Sequence, residues 1–154
     1  MEEKLLEVQC AGIKNSKFHI DHTGRGQDRS PELILKNLSP GVQTLAVTLE
    51  DMSHPIKGFT HWVIWNIPAA DKIPGAIPAG ETVPNLDGAV QGVAYGLHRY
   101  AGPKPPRRMR HTYRFTVYAL DCRLELNSGA RKKAFLRKAE GHILQRGSIS
   151  GEFE

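Results

Sequence analysis

The sequence predicts a mainly β fold, and three observations point there. Short apolar runs rich in Val, Ile, Thr and aromatic residues recur along the chain. The fifteen glycines and ten prolines cluster between those runs. Only one stretch has apolar residues at helical spacing. In chain order, strands are expected over residues 5–12, 17–21, 32–37, Thr44–Asp51, 61–67, 111–121 and 148–153. The segment 68–102 carries Pro74, Gly75, Pro78, Gly80, Pro84 and Gly88, which rule out one long regular element and predict a long connection of the kind that carries function. A helix is expected over residues 130–144, with Ala134, Phe135, Lys138 and His142 on one face and Ser128 as N-cap. Its Arg131, Lys132, Lys133, Arg137 and Lys138 read as a solvated face.

Composition sets the class. With no internal repeat or low-complexity linker to divide it, residues 1–154 are read as one domain. A 40% hydrophobic and 24% charged chain is that of a folded, soluble protein, and no run approaches the roughly 18–20 apolar residues that cross a bilayer. The start, Met1-Glu-Glu-Lys-Leu-Leu, does not read as a secretory signal, which sets the expectation of a cytoplasmic protein. Cys10 and Cys122 are too few and too far apart for a disulfide framework or a zinc motif, and both are expected to be buried thiols. The net charge of +5 favours anionic partners without calling for nucleic acid, and leaves room for no more than peripheral contact with a membrane.

Strand parity then builds a site. Alternate residues share a face, so Leu45, Val47 and Leu49 form an apolar row that ends in Asp51. His61 opens a row continued by Val63, Trp65 and Ile67, and His111 and Tyr113 open one continued by Phe115, Val117 and Ala119. If the second and third of these strands run in the same sense, Asp51, His61, His111 and Tyr113 meet at one end of the core. A buried carboxylate needs a donor, so Asp51 is expected to have one close by.

The run Leu49-Glu-Asp51-Met-Ser53-His-Pro55, followed by Phe59-Thr-His61-Trp-Val-Ile-Trp-Asn66, resembles the first signature of the phosphatidylethanolamine-binding protein (PEBP) family. Gly102-Pro-Lys-Pro105-Pro106 and His111-Thr-Tyr113 resemble its second signature, and Ser30-Pro-Glu-Leu33 its early segment. The resemblance extends from about Phe18 to Phe153 and is nearest to the small bacterial and archaeal, Raf-kinase-inhibitor-like branch. It implies a two-sheet antiparallel β-sandwich with a short helix near the C-terminus. It also implies a pocket for phosphate-type anions or phospholipid headgroups, built from Asp51, Pro55, His61, Gly102, Pro106, His111 and Tyr113. Headgroup binding, inhibition of a kinase or protease partner, and a homodimer come with it as expectations, with neither a cofactor nor a shared catalytic mechanism. Three positions depart from the pattern: Ser53 for an acid and Thr112 for an arginine, which predict a looser rim, and Lys104 for a small residue, which adds a cation beside the loop. His98-Arg99-Tyr100 copies a family tripeptide ahead of the Pro-Pro pair, in the wrong place.

Three functional readings follow. The leading one is a binding protein in which His61, His111 and Tyr113 donate to phosphate oxygens, with Lys104, Arg107, Arg108 and Arg110 attracting the anion. The second is a metal-assisted or acid–base hydrolase on the same Asp/His cluster, with His54 as a further ligand; no nucleophile or HExxH motif supports it, and neither catalytic nor metal residues are assigned. The third is an interaction module, since Pro103-Lys-Pro-Pro106-Arg-Arg108 fits a PxxPxR polyproline pattern.

Overall fold

The structure, a computed structural model, describes residues 3–154; Met1 and Glu2 of the acidic start lie outside it. The chain forms β1 (Lys4–Leu5), β2 (Glu7–Gln9), β3 (Ile13–Lys14), β4 (Lys17–Phe18), β5 (Leu33–Lys36), β6 (Thr44–Asp51) and β7 (Phe59–Pro68). It continues through β8 (Lys72–Ile73), β9 (Thr82–Val83), β10 (Ala89–Gln91), β11 (His111–Leu120), α1 (Lys132–Ala139) and β12 (Ile143–Phe153). The larger sheet runs β3-β4-β12-β11-β6-β7-β10-β9, with β1 also on β12, and the smaller runs β2-β5-β8. Pairing is antiparallel except where β1 and β4 lie parallel to β12.

The main core fills the space between the sheets. Leu6, Val8, Leu33 and Leu35 face Leu45, Val47, Leu49, Trp62, Ile64, Tyr113, Phe115 and Val117. A second core lies on the opposite face of the large sheet, where Phe135 and Ala139 of α1 cover Ala46, Val63, Trp65, Tyr118 and Leu120. The centre of the large sheet is therefore covered on both faces, and all eight residues of β6 are buried. This explains why Thr44–Asp51 reads as a nearly continuous β-branched and apolar run rather than a polar alternation.

β6 pairs antiparallel with both β7 and β11, so those two strands run in the same sense and begin where β6 ends. The expected rows hold in β6 and β11 but not in β7. Val63 and Trp65 belong to the core under α1, not to the row of His61. The register slips twice: Glu50 faces Thr60 while Leu49 faces Trp62, and Val47 faces Ile64 while Leu45 faces Ile67. The first slip is a bulge at His61, where one extra residue bends the strand and re-aims its side chain. The second includes Asn66 at φ 62°, a left-handed conformation that asparagine tolerates. Asn66 also clamps the far loop, donating to the Leu124 carbonyl at 2.9 Å and accepting from its amide at 2.8 Å.

Other expectations need correction. The helix is shorter than predicted, because Gly141 takes φ 83° and Ile143 and Leu144 join β12. Ser128 does not cap it; the N-cap is Arg131, without a side-chain bond, and the Ser128 hydroxyl donates to Glu81. Lys132 is not solvated: its ammonium donates to Glu50 at 2.7 Å and to the Gly58 carbonyl at 2.9 Å. Residues 20–22 form a 3-10 turn instead of extending the strand expected to 21. Cys122 is half-buried rather than buried. No helix among the described residues is long and apolar enough to cross a membrane.

Candidate functional site

The end of β6 and the starts of β7 and β11 bring Asp51, His61, His111 and Tyr113 together. Asp51 stands opposite Tyr113 in the β6–β11 ladder, and His111 lies two residues before Tyr113 on the same face. All four are almost fully enclosed: Asp51 and His61 are 4% exposed, His111 6% and Tyr113 1%. The His111 Nδ1–H donates to Asp51 Oδ2 at 2.7 Å. The other Asp51 oxygen accepts the Ser53 amide at 2.9 Å, so the buried carboxylate has partners on both oxygens.

His61 is held differently. Its Nδ1–H donates to the Ala101 carbonyl at 2.8 Å, across 40 residues of chain. The Ala101–Gly102 corner is itself anchored by Asp28, which accepts the Gly102 amide at 2.7 Å and pairs with Arg99 at 3.2 Å. A Cβ at Gly102 would collide with the His22 carbonyl and sit 2.8 Å from Asp28 Oδ1, so only glycine fits there. The Tyr113 ring meets His61 edge-on at 5.4 Å and lies 6.2 Å from His111. Tyr95 and Phe59 close the other side of His61, at 5.0 and 5.6 Å.

Burial pushes the His61 pKa below its usual 6.5, against the opposing pull of the Ala101 carbonyl and the Asp51 charge. With Nδ1–H committed to Ala101, the neutral ring presents Nε2 as a lone pair, an acceptor. Burial first, and the Asp51 charge second, push the Tyr113 hydroxyl well above its usual range, so it stays a neutral donor.

Of the residues expected in the site, Asp51, His61, His111, Tyr113 and Gly102 assemble as one unit. Pro55 and Pro106 are exposed on the loops that lead into His61 and His111; the buried member of the Pro-Pro pair is Pro105, whose carbonyl accepts from Arg25. The rim is not loose at Ser53 and Thr112: the Thr112 amide donates to the Ser53 hydroxyl at 2.9 Å, and the Met52 amide to the Thr112 carbonyl at 2.8 Å. His54 stacks on Phe59 at 4.0 Å, and its Nδ1 accepts the Ile56 amide. Within the PxxPxR segment Pro103 is buried, whereas Pro106 and Arg108 are exposed. The misplaced tripeptide is scaffolding, since His98 bonds to the Gln91 carbonyl and Tyr100 to that of His22.

Sequence reasoning missed Ala101, Asp28 and Tyr95. A backbone acceptor leaves no side-chain signal, and Asp28 reaches Gly102 across 74 residues. Beside Phe59 and Tyr95 a groove of about 610 Å³ opens, walled by Ile56, Lys132, Lys133 and Leu136. Met52, Ile56, Tyr95 and Met109, on the segments around the site, are exposed apolar residues.

Comparison with known proteins extends this picture. The family model described as phosphatidylethanolamine-binding protein matches residues 10–154. A UPF0098 protein of Pyrococcus horikoshii is 38% identical over 156 residues, covering 99% of this chain and 79% of that protein. The UPF0098 protein YbhB of Escherichia coli is 33% identical over 132 residues, covering 83% of each. Among solved structures, a PEBP homologue of Chlamydia trachomatis superposes with a TM-score of 0.84 at 23% identity over 99% of both chains, a likeness of fold. E. coli YbcL, described as a member of the mammalian PEBP family, gives 0.82 at 25% identity over 97% of this chain and 98% of its own.

Proposed function

The chain belongs to the phosphatidylethanolamine-binding protein family, and we propose that its Asp51–His61–His111–Tyr113 cluster binds a phosphate-type anion, free or as a phospholipid headgroup. The observation that carries this reading is the set of the two imidazoles. Each bonds to the protein through Nδ1, leaving Nε2 as the atom that meets a ligand. Tyr113 adds a neutral hydroxyl donor. The loop into His111 adds exposed Lys104, Arg107, Arg108 and Arg110, whose positive potential concentrates anions at the mouth.

The two histidines have different tasks. Asp51 orients His111 so that, in its imidazolium form, the Nε2–H donates to a phosphate oxygen. His61, neutral in the unliganded pocket, accepts from the hydroxyl of a monoanionic phosphate; to hold a dianion it must first take up a proton. Binding therefore tightens as pH falls and, above neutrality, is accompanied by proton uptake. Modulation of a protein partner such as a kinase would act through this same mouth.

Calorimetry with inorganic phosphate and phosphoethanolamine at pH 6 and pH 8, in buffers of different ionisation enthalpy, tests this reading. One-to-one binding is expected, tighter at pH 6, with net proton uptake at pH 8. His61→Ala and His111→Ala should each weaken it at least tenfold, about 1.4 kcal/mol. Absence of binding at both pH values overturns the proposal.

A further inference from the structure

At the opposite end of β11 from His111, a second cluster of chemically able side chains lies outside the anion pocket. Asp121 and Cys122 follow the last residue of the strand, and His142 stands just before β12. One donor atom from each, a carboxylate oxygen, the thiol sulfur and an imidazole nitrogen, lies within 4.8 Å of both others. β11 has ten residues, so about 30 Å of strand separates this cluster from the pocket. We propose that Asp121, Cys122 and His142 form a binding site for a thiophilic divalent cation of the zinc type, with water completing the coordination.

The backbone around the cluster is already in place. The Asp121 amide donates to the His142 carbonyl at 3.0 Å, tying the two ligand segments directly together. The His142 amide donates to the Ala139 carbonyl at 2.9 Å, which fixes the turn after α1, and Gly141 supplies its left-handed residue. The Cys122 carbonyl accepts from the Thr44 hydroxyl at 2.6 Å, pinning that segment to the start of β6. The side chains are close to a chelating arrangement, with His142 Nδ1 donating to Asp121 Oδ1 at 2.9 Å. Tetrahedral zinc with bonds of roughly 2.0–2.3 Å separates its ligand atoms by about 3.3–3.8 Å.

The donor set narrows the occupant. One sulfur, one nitrogen and one oxygen suit zinc or its spectroscopic substitute cobalt, whereas magnesium and calcium take oxygen ligands. All three residues are at least partly exposed, so the site is reachable from solvent. Ligand-spacing motifs miss it because nineteen residues, including α1, lie between Cys122 and His142 and bring them together only on folding. A bound ion would join the exit of β11 to the entry of β12, so it stabilises the folded chain by mass action.

Cobalt titration of the full chain, kept reduced by a non-chelating phosphine, tests the site. The expected result is one equivalent of Co²⁺ with thiolate-to-metal charge-transfer absorption in the near ultraviolet, displaced by Zn²⁺. Cys122→Ser should abolish that absorption. His142→Gln and Asp121→Asn, both at positions at least partly exposed, should each weaken cobalt at least tenfold while leaving the circular dichroism unchanged. Cys10→Ser should retain the absorption, because the only other thiol is buried in the main core. Zn²⁺ should raise the thermal midpoint of the wild type and not that of His142→Gln. No charge-transfer band, a band that survives Cys122→Ser, or metal binding lost with His61→Ala but not with His142→Gln overturns the proposal.

Discussion

His61 couples the site to pH through two opposed influences. Burial disfavours its charged form, while the Ala101 carbonyl and the Asp51 carboxylate favour it, and burial prevails. The unfolded chain therefore binds this proton at a higher pH than the folded chain. The stability associated with His61 is complete above about pH 6.5 and is lost as pH falls through the lowered folded value. Urea midpoints measured between about pH 8 and pH 5 should fall more steeply for the wild type than for His61→Asn; parallel curves would show that His61 carries no such linkage. Tyr113→Phe keeps the ring packing and removes only the hydroxyl. It should weaken phosphate binding by roughly 0.5–1.5 kcal/mol, with little change in thermal midpoint.

At the scale of elements, two bulges in β7 decide what the site can be. A regular strand that placed Trp62 in the main core would send His61 to the opposite face. The extra residue at His61 lets both side chains serve the inner side of the sheet. Periodicity arguments count residues in twos and cannot register an inserted one, so Val63 and Trp65 lie on the opposite face from the one predicted for their row, while the rows in β6 and β11 hold. The second bulge depends on Asn66, whose amide satisfies both backbone groups of Leu124. Asn66→Ala should cost about 1–3 kcal/mol, because it leaves those buried groups unpaired. The helix depends on Phe135, fully buried against Trp65 and Tyr118. Phe135→Ala should cost about 3–5 kcal/mol in chemical denaturation, and a cost below 1 kcal/mol would mean that α1 is not anchored there.

For the whole molecule, the β fold, its central strands and the meeting of Asp51, His111 and Tyr113 were legible because each rests on local pattern plus strand direction, whereas His61 reaches their side of the sheet through its bulge. The rest was not, because it rests on contacts distant in sequence. The Ala101 carbonyl under His61, Asp28 under Gly102 and Glu81 taking the Ser128 hydroxyl all come from segments whose approach only the folded chain establishes. The net charge of +5 also acts at this scale, since the basic loop 104–110 biases the mouth toward anions over distances that salt screens. Raising the salt from about 50 to 500 mM should weaken phosphate binding several-fold in the wild type, and by less in a variant with Arg107 and Arg108 changed to Ser.

The central claim is that a phosphate-type anion binds between two imidazoles held through Nδ1. Nitrogen-15 NMR of the histidine rings during a phosphate titration at pH 7 tests it most directly. Without ligand, His61 should be neutral with its proton on Nδ1; as phosphate is added, the Nε2 resonances of both His61 and His111 should move, and the His61 pKa should rise. Unchanged His61 and His111 resonances at millimolar phosphate would contradict the account.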